Sequence, residues 1–316
     1  MREDRILESS VLDIYHGLRI DQYLAKRFSY LSRSAWQKEI EEGRVLLNGA
    51  KIKVRNKKVS RGDIVFYVPS SLKEPEVDFN FTIIFENENY IAVNKSGNIP
   101  VHPSGIFYRN TLLSELESRF ATKLYPLHRL DRETSGVVLF GKNAAAASAV
   151  QSDFSSVSKE YIAVVRGCTP EEWAVEVPIG NARNSLIQKK REAYPGAFEE
   201  ALTHFKRLST NGEFSLVRAN PVTGRMHQIR VHLLYSGYPI LGDKMYSFDE
   251  TIYIDFVRHG NSNELALRAG FTRCALHSLR LEFFDRFNSC SYNLLAPLTE
   301  DLKELVENLD LKCEFC

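Results

Sequence analysis

The segment that most limits what this chain can fold into is His128-Arg129-Leu130-Asp131-Arg132-Glu133-Thr134-Ser135-Gly136, which runs straight into the apolar Val137–Phe140 and ends at Gly141-Lys142. The apolar run is β-branched at its start and reads as a strand. The string ahead of it is therefore a polar strand entry that holds one carboxylate between two arginines. An Asp so placed stays ionised, because neighbouring positive charge favours the carboxylate. An isolated Asp-Arg pair would mean no more than a surface salt bridge, but the whole string is more specific than such a pair.

Strands and helices are mixed around this segment without regular alternation. Phe81–Phe85 and Ile91–Val93 read as paired strands, followed by a turn-rich loop, Pro100–Gly105, and a helix from Asn110 to about Ala121. A second helix, Ala144–Phe154, has Asn143 as its cap. Glu160–Arg166, Val175–Ile179, Ala201–Leu208, Phe214–Ala219, Gln228–Leu234 and Leu276–Phe284 complete a set of strands and one helix. The pattern predicts an α+β domain on a mixed, largely antiparallel sheet.

The first 70 residues differ in charge and in pattern. Of the chain's 41 Lys/Arg and 40 Asp/Glu, 14 and 9 fall there, a surplus of five positive charges against a net +1 overall. Ile20, Leu24 and Phe28 share one face of a helix. Ser32 is placed to cap a second helix that ends at Gly43. Val45–Leu47, Asn48-Gly49 and Lys51–Val54 then read as strand, hairpin turn and strand. Ile64–Val68 follows and Pro69 closes the module. From Arg44 to Arg61 there are seven basic residues and no acid, and solvated faces usually mix signs. Arg33, Arg44, Lys51, Lys53, Arg55, Lys57, Lys58 and Arg61 are therefore the candidate contacts to a polyanion. The expected division is a small α/β module over 1–70, a linker over 71–80, a large domain over 81–300 and a C-terminal tail over 301–316.

At 316 residues with 44% hydrophobic and 26% charged content, the chain has an ordinary globular composition. It holds no apolar run long enough for a membrane span, and its first residues do not resemble a secretory signal. A cytoplasmic location is the expectation. The five scattered cysteines argue against a disulfide framework. Cys313-Glu-Phe-Cys316 has no second pair at zinc-finger spacing and is read as part of a frayed tail. His204, His227, His232 and His277 lack the spacing of a metal motif and are expected to be hydrogen-bonded structural residues. No phosphate-binding loop, dinucleotide fingerprint or nucleophile elbow occurs. The H-x-E and P-C-x-x-C of a zinc deaminase are also missing.

His-Arg-Leu-Asp-x-x-Thr-Ser-Gly resembles the active-site signature of the RluA-type family of pseudouridine synthases. The resemblance continues through Lys159-Glu-Tyr161, Gly224-Arg-Met-His-Gln-Ile-Arg230-Val-His232, Leu241-Gly-Asp243 and Ala275-Leu-His277, over roughly residues 80–298. The first module is similar to the S4 RNA-binding domain in its R-I-D-x-x-L, G-R-V-x-x-N-G and G-D motifs. By this resemblance Asp131 is the nucleophile and Arg230 keeps it ionised and aimed. Tyr161 covers the uracil ring, and Arg129 enters the RNA stack where the base has left. Met226 and Lys244-Met245 depart from the usual residues of the family. The family's reaction needs neither metal nor cofactor, and a monomer acting on large-subunit ribosomal RNA is the expectation, with transfer RNA second. A non-catalytic RNA-binding or ribosome-assembly factor of the same fold, or an enzyme acting on free nucleosides, are the competing readings.

Overall fold

A computed structural model describes residues 7–28, 31–68, 74–104, 107–185, 187, 189–260, 262–286 and 288–315. Pro69, residues 71–73 of the expected linker and Cys316 lie outside the described residues. The chain divides into two compact units, Met1–Pro75 with Ser104–Tyr108, and Glu76–Pro103 with Arg109–Cys316. Among the described residues, no helix is long and apolar enough to cross a membrane.

The first unit contains β1 (Leu7–Ser10), α1 (Ile20–Arg27), α2 (Arg33–Glu41), β2 (Val45–Leu47), β3 (Ala50–Ile52) and β4 (Ile64–Tyr67). Its sheet runs β1-β4-β2-β3, antiparallel throughout. The Ser32 hydroxyl accepts the Ala35 N–H at 3.2 Å, capping α2. Asn48 and Gly49 take positive φ at the β2–β3 turn, which a tight hairpin of this hand requires. Trp36, Tyr23, Ile20, Leu24, Ile40 and Val45 are completely buried and bind the two helices to the sheet.

The second unit contains β5 (Phe81–Glu86), β6 (Tyr90–Lys95), α3 (Leu112–Phe120), β7 (Tyr125–Pro126), β8 (Ser135–Gly141), α4 (Ala144–Gln151), β9 (Ser158–Arg166) and β10 (Glu172–Glu176). It continues through β11 (Ile179–Asn181), β12 (Arg191–Ala193), β13 (Leu202–Thr210), β14 (Phe214–Pro221), α5 (Gln228–Tyr235), α6 (Thr251–His259) and α7 (Asn263–Ala269). It closes with β15 (Leu276–Asp285), β16 (Cys290–Leu295) and α8 (Glu300–Asn308). The main sheet is ordered β10-β13-β14-β9-β15-β8-β6-β5, with β16 on β15 and β7 on β8. Every pairing is antiparallel except β15 with β8. This is the mixed, largely antiparallel sheet of an α+β protein. Apolar clusters cover it, drawn from β9, β14, β15, α5 and α8 in one case and from β6, β8 and α3 in another.

β8 is an interior strand between β15 and β6, and every one of its residues is buried. At its mouth Gly136 has φ +110°, and a Cβ there would collide with the Ser278 carbonyl of β15. Only glycine permits the parallel pairing that joins the two halves of the sheet. The strand entry that carries Asp131 is thereby fixed beside β15, inside the main sheet of the second unit.

Three expectations are corrected. Val175–Ile179 is not one strand: β10 stops at Glu176, and Ile179 opens a separate two-stranded sheet with β12. Pro178 lies at the break, where it cannot donate a ladder hydrogen bond. The helix beginning at Ala144 ends at Gln151 rather than Phe154. Phe154 instead turns in to stack on the His128 ring, with centroids 5.6 Å apart. The expected tail, 301–316, is anchored: α8 buries Leu302 and Val306, and Leu311 is buried beyond it.

Candidate active site

Asp131 lies on the loop between β7 and β8, and Arg230 lies in the first turn of α5. The Arg230 Nη1–H donates to Asp131 Oδ2 at 2.7 Å. Its other edge grips Asp243 with two bonds, Nε to Oδ2 at 2.6 Å and Nη2 to Oδ1 at 2.8 Å. The guanidinium therefore spans two carboxylates of unequal exposure. The side chain of Asp243 is 0% exposed and that of Asp131 is 27% exposed. The buried carboxylate is the anchor, and the partly exposed one stays open to solvent. Asp243 also accepts the Met245 and Tyr246 backbone N–H groups, at 3.0 and 2.9 Å. Gly242 permits this turn, because its φ is +74° and a Cβ would meet the Arg273 carbonyl.

The electrostatics follow from that geometry. Burial raises the Asp131 pKa, but Arg230, through its charge and its hydrogen bond, together with the neighbouring His227 outweighs it and holds the carboxyl below the usual carboxylate range. Asp243 is held low in the same way, by Arg230 and by the Tyr246 N–H against the effect of burial. Tyr161 is on β9, across the sheet from Ser278 of β15. Burial pushes its phenol up to about 12, with the Ser278 hydroxyl opposing and the Asp131 charge adding to the rise. It is a protonated, half-buried ring at neutral pH. Arg129 is exposed and makes no ion pair among the described residues. Its charge reaches both His102 and His227 and lowers their pKa values.

Neighbouring residues brace the strand entry. Lys95 is completely buried and donates to the carbonyls of Ser96, Ile99 and Arg132 at 2.7, 3.0 and 3.0 Å. Its ammonium thus ties β6 to the residue after Asp131, and burial pushes its pKa well below the ordinary value. Lys244, one of the departures from the family pattern, is 2% exposed and pairs with Glu133 at 3.0 Å. It also donates to the Thr272 carbonyl at 2.9 Å. These contacts hold the segment after Asp131 from two sides. Nothing in the local sequence around Asp131 signals either lysine, because both arrive from distant elements.

The histidines divide. His232 bridges the Thr203 hydroxyl and the Val177 carbonyl, and His277 bridges the Ser135 hydroxyl and the Ala296 carbonyl. Both are structural, as the sequence suggests. His204 is exposed. His227, read as structural, stands instead in the site, with Nε2 3.6 Å from Asp131 Oδ1. Among the described residues, no group of three or more His, Cys, Asp or Glu is arranged to hold a metal ion.

In the first unit Arg19, Arg33, Gln37, Lys53 and Arg55 line one groove. The fully buried Asp21 carboxylate organises it, accepting from Arg19 at 3.1 Å, Arg33 at 3.0 Å and Gln37 at 2.7 Å. Arg19 and Gln37 were not singled out by the charge pattern; the R-I-D motif contains the signal. Arg44 is not available in the same way. It is 20% exposed and paired with Glu39 and Glu42. Lys51, Lys57, Lys58 and Arg61 are exposed but do not line this groove.

An arginine on α5, anchored by the buried Asp243 and bonded to an aspartate at the entry to β8, occurs in one chain with a basic helix–hairpin module. Comparison with known proteins places the chain further. Residues 89–235 match the RNA pseudouridylate synthase family and residues 18–65 match the S4 domain. An uncharacterized RNA pseudouridine synthase of Bacillus subtilis is 32% identical over 310 residues, covering 92% of this chain and 94% of that protein. The ribosomal large subunit pseudouridine synthase D of Xylella fastidiosa is 30% identical over 312 residues, covering 96% and 92%. The mitochondrial tRNA pseudouridine(32) synthase of Saccharomyces cerevisiae is 32% identical over 256 residues, covering 78% and 52%. The solved structure of human RNA pseudouridylate synthase domain containing 4 superimposes with a TM-score of 0.58 at 25% identity, covering 73% of this chain and 94% of that one. The chain belongs to the RluA-type family of RNA pseudouridine synthases, and its activity is the isomerisation of uridine in RNA.

Proposed function

We propose that this enzyme acts through Asp131 as its nucleophile on uridines of structured RNA, with large-subunit ribosomal RNA as the substrate. The observation that carries the reading is the Asp131 carboxylate: ionised, partly exposed, and aimed by an arginine that is itself locked to a buried Asp243. Pseudouridine forms when the N1–C1′ bond breaks, the uracil turns, and C5 rejoins the sugar. A carboxylate beside the sugar can trap or stabilise the positive charge that develops at C1′. The leaving uracil anion is delocalised, so a second carboxylic acid is not needed. Arg230 keeps Asp131 charged in a site that water leaves when the base enters. Tyr161, protonated at neutral pH, offers a flat ring against which the extruded base stacks, worth about 1–3 kcal/mol. Arg129, exposed and without an ion-pair partner among the described residues, is suited to fill the gap in the stack.

Residues 1–70 are assigned to RNA binding, 71–80 to a linker and 81–300 to catalysis, in a monomer that works in the cytoplasm. The preference for large-subunit RNA rests on the relative named for that substrate, which matches through both the module and the catalytic region. The relative named for transfer RNA is matched over about half its length. The test is pseudouridine formation in bulk ribosomal and transfer RNA lacking this modification, with wild type beside Asp131→Ala. Signal in large-subunit RNA from the wild type alone is expected. Equal signal from both proteins removes Asp131 as the nucleophile, and signal in transfer RNA alone transfers the substrate assignment.

A further inference from the structure

The His227 backbone has φ +61°, a left-handed conformation that few non-glycine residues adopt. The conformation sets the imidazole between two partners. Nδ1 lies 2.7 Å from the Tyr246 hydroxyl, and Nε2 faces Asp131 Oδ1 at 3.6 Å. The charged groups acting on the ring are Arg230 of α5, Asp131, Asp243 and Arg129. Tyr246 packs edge-on against it with centroids 5.4 Å apart.

The hydrogen-bond inventory determines which nitrogen carries the proton. Tyr246 is 1% exposed, and its oxygen accepts the Arg191 N–H at 2.9 Å. Its single proton has one acceptor among the described residues, His227 Nδ1. A buried hydroxyl proton left unpaired is costly. If Nδ1 accepts, the neutral ring must carry its hydrogen on Nε2. The Asp131 carboxylate leads to the same tautomer independently, because the other one would aim an imidazole lone pair at a negative oxygen. Burial and the Arg230 charge push the ring's pKa down to about 4, so it remains neutral at working pH.

We propose that His227 is a positioning residue, whose Nε2–H, fixed by the Tyr246 hydroxyl, orients the Asp131 carboxylate so that Oδ1 is the oxygen presented to the sugar. Oδ2 is committed to Arg230 at hydrogen-bond distance, whereas Oδ1, facing only the Nε2–H, keeps a lone pair for the sugar. Two donors on different oxygens fix the rotation of the carboxylate about its last bond. The 3.6 Å gap is too long for a hydrogen bond, and catalytic hydrogen bonds often tighten only when substrate is bound. This inference rests on Asp131 being the nucleophile.

His227→Asn is the primary variant, because Asn tolerates the left-handed backbone and its amide is too short to reach Oδ1. His227→Gln restores a donor near the Nε2 position, and Tyr246→Phe removes the group that fixes the tautomer. Displaced reacting groups cost on the order of 10–100-fold. The expected result is a fall of about that size in kcat for His227→Asn at unchanged KM for RNA, partial recovery in His227→Gln, and a smaller fall in Tyr246→Phe. Nitrogen-15 NMR of the wild-type imidazole, which does not depend on any variant folding, is expected to show the Nε2–H tautomer. An Nδ1–H tautomer, or a wild-type kcat in folded His227→Asn, overturns the proposal. Asp131→Asn is assayed alongside. If it is inactive while His227→Asn is unimpaired, only the positioning role fails; if it is active, the nucleophile assignment itself fails.

Discussion

Arg230 serves two carboxylates that differ in what they can tolerate losing. Asp243 has no exposure, and although the Met245 and Tyr246 N–H groups also reach Oδ1, the guanidinium is the cation bonded to both its oxygens, so removing it strands a charge in the interior. Breaking a buried pair from one side costs about 3–5 kcal/mol. Asp131 is partly exposed and can be hydrated if its partner or its own charge is lost. Arg230→Met is therefore expected to lower unfolding free energy by roughly 3–5 kcal/mol, and Asp131→Asn by about 1 kcal/mol or less. Both are expected to lose pseudouridine formation. Urea denaturation of the two variants decides it, and equal losses would mean that Asp243 is not the anchor. Asp131 and Arg230 were legible in the sequence because each sits in a dense polar motif. The roles of Asp243, Lys95 and His227 were not, because each is defined by a partner brought from another element.

Local signals predicted the elements whose ends are marked chemically. Ser32, Gly43 and Asn48-Gly49 are where the backbone needs a cap, a left-handed residue and a tight turn, and they take those roles. α6, α7 and β16 were not legible; α7 carries both signals, a Ser262 cap on the Leu265 N–H and a left-handed Gly270, but at seven residues it is too short for an apolar face to show. The C-terminal helix is a different failure. Glu300, Asp301, Lys303, Glu304 and Glu307 give it the composition of a solvated tail, yet Leu302 and Val306 stand four residues apart on one face. That face is buried in the largest apolar cluster of the second unit. Arg273 adds an ion pair to Asp301, at 2.6 and 2.9 Å. Leu302→Ala is expected to cost about 2–5 kcal/mol, the usual range for emptying a packed leucine site. A melting temperature unchanged from wild type would return the segment to the status of a tail.

Across the whole molecule, three histidines held neutral by partial or complete burial set how stability responds to acid. Burial pushes His128, His227 and His277 down to about 4, whereas in an unfolded chain a histidine titrates near 6.5, a difference on the order of 3 kcal/mol for each. Between those two values the unfolded chain binds protons that the native one refuses. Stability therefore rises with pH through this window and falls as pH drops from about 6.5 towards 4. The depressed carboxylates Asp131, Asp243 and Asp301 add their own loss only at lower pH, as pH falls through the ordinary carboxylate range and on below it. All three histidines belong to the second unit, and the first unit's single histidine, His16, is exposed. The chain's two tryptophans are divided between the units, Trp36 in the first and Trp173 in the second, so each unit carries its own fluorescence probe. Urea unfolding followed at pH 7, 6 and 5 is expected to show the Trp173 transition moving to lower denaturant at each step while the Trp36 transition moves less. A Trp36→Phe variant isolates the Trp173 signal, and His277→Gln, which removes one of the three protons, is expected to flatten its pH slope. A Trp173 transition that stays fixed from pH 7 to pH 5 would mean that these rings are protonated in the fold as readily as out of it, and the neutral His227 on which the Asp131 geometry depends would be lost with them.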